Sequence, residues 1–186
     1  MNCQRNCAPR LMSALPSRRS FIGGVAGTAF SPAIALAAAG DQASAEDLRF
    51  MRMALDEARQ GDFPFGAVIV RDGSVVARGR NLGRTNGDPT AHGEMVAIRR
   101  CLADHGSATL RGSTLYTSGE PCAMCMGAIL WSRVGRLVFA ASIAQLATKI
   151  DQIMLASADI AAKAPFVQIS ITGGVLADEA MQLFAK

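Results

Sequence analysis

Asp88-Pro89-Thr90-Ala91-His92-Gly93-Glu94, read together with Glu120-Pro121-Cys122-Ala123-Met124-Cys125, decides how this 186-residue chain is understood. One histidine and two cysteines supply three ligands of the kind zinc takes. Zinc prefers four, and three protein ligands leave one position for water, which separates a catalytic site from a closed structural one. A Cys-x-x-Cys pair at the start of a helix puts both sulfurs on one face, because residues three apart are neighbours there. The unpaired N–H groups of a helix start also favour thiolate over thiol. Pro121 suits the entry to such a helix, since it has no N–H to lose and is disfavoured further in. Glu94, two residues from His92, is placed to take a proton from water and return it. The pattern therefore predicts one Zn2+ per subunit, held by His92, Cys122 and Cys125, with Glu94 as the catalytic acid and base.

Other uses of these residue types are weaker. A Cys-x-x-Cys pair also occurs in redox sites and in structural zinc ribbons, but a ribbon needs a second pair. Beyond the N-terminal Cys3 and Cys7, only Cys101 remains. It falls in the apolar pattern Met95, Ile98, Cys101, Leu102 and reads as a small buried hydrophobe. His105, beside Gly106, reads as the end of the same helix and not as a ligand.

His-x-Glu followed by Pro-Cys-x-x-Cys resembles the cytidine and deoxycytidylate deaminase superfamily. Within it, the chain is most similar to the branch of guanine, yeast-type cytosine and tRNA adenosine deaminases. The likeness runs from Pro64-Phe65-Gly66-Ala67-Val68-Ile69-Val70 through Asn81, Asp88 to Glu94, Leu115-Tyr116-Thr117 and Glu120 to Cys125, as far as Gly127-Ala128-Ile129. This resemblance implies a three-layer α/β/α domain with a mixed five-stranded sheet between helices. It also implies a homodimer or larger assembly in which neighbouring subunits complete the pocket. Asn81 stands where family members place an Asn that bonds the base or sugar, and Phe65 stands where a ring can face the base. For both, a local role in turn or core competes. Glu120 matches the family's Glu before Pro-Cys, with no assignment beyond an acid near a helix start.

Residues 1–39 are of another kind. Ser17-Arg18-Arg19-Ser20-Phe21-Ile22 is a twin-arginine pattern, and an uncharged Ala- and Gly-rich stretch follows it to Ala39. Ala35-Leu36-Ala37 and Ala37-Ala38-Ala39 are small-residue cleavage motifs. The reading is a twin-arginine export signal over 1–39 and a deaminase domain over 40–186, periplasmic and with no stable membrane anchor after cleavage. The signal holds four arginines and no acid, so the net charge of +4 resides there and the remainder balances 15 basic against 15 acidic residues. A neutral domain lacks the basic excess of a general nucleic-acid binder.

Periodicity sets the remaining expectations. Ser44 and Asp47 form a capping pair before a helix through Leu48, Met51, Leu55 and Ala58. Residues 65–70 and 75–80 form a hairpin around Arg71-Asp72-Gly73-Ser74. Helices are expected over 92–104, 122–132, most of 143–162 and 177–185, and strands over 114–118, 136–141 and 166–171. Helices alternating with short apolar strands make a layered α/β domain.

The base is the open question. Residues 65–70 and 85–90 resemble guanine deaminases, whereas Ser132 to Arg136 and Gly174 to Glu179 resemble the tRNA enzyme. His-Gly-Glu in place of His-Ala-Glu also occurs in yeast-type cytosine deaminases. Three readings stand: deamination of a free nucleobase or nucleoside, favoured by the charge balance; editing of a tRNA wobble adenosine; and a noncatalytic zinc fold.

Overall fold

The computed structural model describes residues 43–185, so the expected export signal lies outside the described residues. Ser44 opens helix α1 (Ala45–Arg59) through a complete capping box: its hydroxyl accepts the Asp47 N–H while the Asp47 carboxylate accepts the Ser44 N–H. The hairpin follows, β1 (Gly66–Arg71) and β2 (Ser74–Arg80), turning through Asp72 and Gly73, both at positive φ. Asp-Gly suits the left-handed turn that matches strand twist. Then come α2 (Gly83–Asn86), α3 (Gly93–His105), α4 (Ser107–Leu110), β3 (Thr114–Gly119), α5 (Ala123–Trp131) and β4 (Arg136–Ala141). The chain continues through α6 (Ile143–Leu146), α7 (Ser157–Ala161), β5 (Ser170–Thr172) and α8 (Ala177–Gln182).

The strands form one sheet in the order β2-β1-β3-β4-β5, antiparallel from β2 to β3 and parallel from β3 to β5. This is the expected mixed five-stranded sheet. Alternation along its strands divides the core into two faces. Ala67, Ile69, Leu115 and Leu137 pack with Ala97, Ile98, Met126 and Ile129 of α3 and α5. Val68, Val70, Tyr116 and Val138 pack with Phe50, Met51, Leu55 and Ala180 of α1 and α8. The result is three layers. Close approach of α3 to the sheet depends on Gly79, where a Cβ would collide with backbone atoms of Gly93 and Ala97.

Across the α1 face, Asp47 does more than cap. Its carboxylate also accepts from the Tyr116 hydroxyl (3.0 Å) and from both terminal nitrogens of Arg136 on β4 (2.6 and 3.1 Å). The Arg136 guanidinium holds this buried carboxyl well below the usual range, as paired and hydrogen-bonded carboxylates are.

Two expectations fail at the C-terminal side. Residues 143–162 are not mostly helical: only α6 and α7 are helices, and 147–156 runs as turns and irregular chain. Ile150, Ile153 and Met154 have helical spacing, yet Ile150 and Ile153 line a pocket and Met154 is exposed. Tertiary contacts override the period here. The last strand is three residues, Ser170–Thr172, and not 166–171. The parallel ladder begins where Arg136, the first residue of β4, meets Ser170, so 166–169 fall before it; there Phe166 stacks on Trp131 at 4.6 Å and Arg133 donates to the Phe166 carbonyl (2.7 Å). Among the described residues, no helix is long and apolar enough to cross a membrane.

Candidate active site

Both halves of the metal motif sit at helix starts. His92 is the N-cap of α3 and Cys122 the N-cap of α5, one position outside the helices, with Cys125 inside the first turn. The strand β3 ends at Gly119 and delivers Glu120-Pro121-Cys122 to the carboxyl edge of the sheet, where open α/β sheets gather their ligands. The Gly93 position packs against β1: a Cβ there would lie 2.8 Å from the Phe65 carbonyl oxygen. This brings the first turn of α3, and with it His92, close to the sheet.

The Nδ1 atom of His92 lies 3.7 Å from Cys122 Sγ and 3.6 Å from Cys125 Sγ. Zinc bonds of about 2.3 Å to sulfur and about 2.05 Å to nitrogen, at a tetrahedral angle, separate the two ligand atoms by about 3.6 Å. The donor set fits zinc. It is also the one group of three or more metal-capable side chains found among the described residues. The electrostatics agree with that fit. Hydrogen bonding from Cys125, and then from His92, lowers the Cys122 thiol to about 4. Cys125 is pushed up chiefly by the neighbouring Cys122 sulfur, and the His92 imidazole is raised by its bond to Cys122. Three donors thus crowd around a centre that wants positive charge, and metal binding releases the protons they share.

Glu94 is 3% exposed, in the first turn of α3. Burial raises its carboxyl to about 7. It borders a pocket of about 360 Å3 with His92, Cys122, Phe65, Asn81 and Glu120, within the size range of small-ligand sites. The same pocket is lined by Ile150, Asp151, Gln152 and Ile153 and by the exposed Phe63.

Of the residues expected at the site, Phe65, Asn81, His92, Glu94 and Cys122 line one cavity, and the buried Cys125 joins His92 and Cys122 in the candidate metal cluster. Phe65 lies just before β1, its ring nearly parallel to the His92 imidazole at 6.5 Å and edge-on to Phe184 at 5.3 Å. Ser118 holds it there: the hydroxyl accepts the Gly66 N–H (3.0 Å) and donates to the Pro64 carbonyl (3.3 Å). Asn81 combines its two readings, lining the pocket while its Oδ1 accepts the Gly83 N–H (3.0 Å). His105 and Cys101 stay outside. The His105 ring meets the Val76 carbonyl at 3.1 Å, and Cys101 is fully buried, its thiol raised by burial. Sequence reading missed Phe63 and the 150–153 wall. The wall was hidden by its helical spacing.

The chain belongs to the cytidine and deoxycytidylate deaminases: the zinc-binding region of that family matches residues 44–141. It is 40% identical over 128 residues to a guanine deaminase of Bacillus subtilis, covering 66% of this chain and 82% of the relative. It is 46% identical over 101 residues to a tRNA-specific adenosine deaminase of Haemophilus influenzae, covering 52% of this chain and 58% of that enzyme. Among solved structures, a guanine deaminase from Nitrosomonas europaea superposes with a TM-score of 0.64 at 26% identity, over 77% of this chain and 84% of its own. A tRNA:A34 deaminase superposes with a TM-score of 0.63 at 32% identity, over 73% and 98%.

Proposed function

We propose that this protein is a zinc-dependent hydrolase that deaminates a free nucleobase or nucleoside, with guanine the favoured base. The observation that carries the reading is a buried carboxyl, Glu94, lining a small pocket with His92 and Cys122, which converge with Cys125 in a cluster that fits zinc. His92, Cys122 and Cys125 hold the metal. Zinc, when bound, supplies Lewis acidity that makes water nucleophilic at neutral pH. Glu94 takes the proton from the attacking water on a side-chain oxygen and hands it to the exocyclic amine. Water adds to the ring carbon that bears the amine, the carbon–nitrogen bond breaks, and ammonia leaves a keto base behind. Phe65 offers a ring face to the base and Asn81 an amide to its edge.

Two observations support guanine. The guanine deaminase of Bacillus subtilis is covered over 82% of its length, against 58% for the tRNA-specific adenosine deaminase of Haemophilus influenzae. In addition, Asp151 lines the same pocket as His92 and Cys122. Among guanine, adenine and cytosine, only guanine carries a ring N–H next to the carbon that bears the amine, and a carboxylate is acceptor-only when ionised. The neutral charge balance outside residues 1–39 supports a small substrate over a polyanion. The proposal includes export by the twin-arginine signal and a homodimer. For the dimer, the support is the Trp131–Phe166 stack, with Trp131 75% exposed.

The 46% identity to a tRNA-specific adenosine deaminase favours the second reading, wobble-adenosine editing. Ammonia release from guanine, adenine, cytosine and their nucleosides, measured beside inosine formation in an anticodon stem-loop, separates the two. Guanine turnover with an inert stem-loop is expected. Efficient stem-loop editing with free bases and nucleosides untouched would overturn the small-substrate reading.

A further inference from the structure

Glu120 has no part in the chemistry above, yet its side chain is nine-tenths buried at the edge of the pocket. Its two oxygens take two backbone donors far apart in sequence. Oε2 accepts the N–H of Ile143 (2.9 Å), and Oε1 accepts the N–H of Ser157 (2.8 Å). A third link runs alongside, from the Ser157 hydroxyl to the Pro121 carbonyl (3.4 Å). Between Ile143 and Ser157 lies the segment that contributes Ile150, Asp151, Gln152 and Ile153 to the pocket. That segment has little regular structure of its own, so its shape depends on how its ends are held. Compact loops of this length with ends drawn together are a recognised class, often functional.

We infer that Glu120 is the positioning residue for the substrate-selecting wall of the pocket: one carboxylate pins both ends of residues 143–157 and ties them to the turn that carries Cys122. The inference rests on the deaminase reading for its substrate and adds the residue that sets selectivity. The chemistry requires a carboxylate. An amide offers one acceptor, so Gln at this position leaves either the Ile143 or the Ser157 N–H facing an NH2 donor, and that end of the wall comes loose. Loss of the wall's placement weakens binding of substrate and transition state alike, which raises KM more than it lowers kcat.

The test compares zinc-loaded wild type, Glu120→Gln, Ser157→Pro and Ser157→Ala. Proline deletes the N–H at 157 together with the hydroxyl, and Ser157→Ala reports the loss of the hydroxyl alone. The backbone accepts the proline, because Ala156 already holds the extended conformation required before proline (ψ 148°) and Ser157 is the first residue of α7. Alanine keeps the N–H and removes only the hydroxyl. Amide hydrogen exchange over 147–156, read without substrate, is expected to quicken at least about tenfold in Glu120→Gln and Ser157→Pro, with one zinc per chain retained and Ser157→Ala close to wild type. With guanine, KM is expected to rise about tenfold in the same two variants with a smaller change in kcat. Unchanged exchange in 147–156 for Ser157→Pro, or a fall in kcat with KM unmoved, overturns the inference. If Glu120→Gln does not fold, the Ser157 pair decides alone. A wild type inert on guanine refutes the substrate assignment, and the exchange measurement still judges the clamp.

Discussion

Asp47→Asn removes the charge that closes the α1 face of the sheet while keeping the size of the side chain. In the native protein Asp47 is 3% exposed and accepts from Ser44, Tyr116 and Arg136. Breaking a buried pair by removing one partner costs about 3–5 kcal/mol, because the other charge stays behind. The Arg136 side chain is 29% exposed, so water recovers part of that loss and about 2–3 kcal/mol is expected. For a domain of this size the loss lowers the melting temperature by roughly 6–10 °C. The pH dependence has a definite sign. A carboxyl held below its unfolded value contributes stability that is fully present above an unfolded pKa of about 3.9 and is lost as pH falls towards the folded value. The gap between wild type and Asp47→Asn should therefore be constant from pH 6 to 8 and narrow below about pH 4. Urea unfolding of both zinc-loaded proteins across that range measures it. A gap under about 1 kcal/mol at neutral pH, or one that fails to close in acid, refutes the assignment of this pair as the lock between α1 and β4.

Glu94→Ala should keep stoichiometric zinc and lose at least about a hundredfold in turnover, since a positioned acid and base contributes on that scale; steady-state ammonia release and metal analysis check both halves. Cys122→Ala and Cys125→Ala should each lose zinc and melt at lower temperature, because metal binding is coupled to folding; full metal content after either change would disprove the ligand set. Replacing both Arg18 and Arg19 by Lys should hold the precursor inside the cell with its activity intact, and fractionation of periplasm and cytoplasm reads this directly. Mature protein found in the periplasm of that variant would contradict export by the twin-arginine signal.

Much of this architecture is legible because local chemistry and tertiary demand coincide. The Ser44–Asp47 box, the Asp72-Gly73 turn and the β4 span from Arg136 to Ala141 appear as their residues dictate. The candidate metal ligands are legible for a different reason: few arrangements of one His, two Cys and a nearby Glu serve any other chemistry. What stayed hidden was decided by partners distant in sequence. Asp47 reads as a cap, and nothing local to it reveals Arg136, 89 residues away. Glu120 reads as an acid near a helix start, but its carboxylate is spent on Ile143 and Ser157. Ile150 and Ile153 carry a helical period and serve as a pocket wall instead.

The attachment of that wall bears on how such proteins diversify. The match to the family's zinc-binding region ends at Ala141, the last residue of β4, and residues 143–157 begin just beyond it. The candidate ligands and the proposed proton carrier lie within residues 44–141, whereas one face of the pocket comes from a contiguous segment just beyond them, whose two ends the Glu120 carboxylate holds. A segment held in this way can change its length and side chains while the proposed hydrolytic residues stay where they are. One scaffold can then pass from one base to another by replacing a short stretch of chain and preserving its two points of suspension.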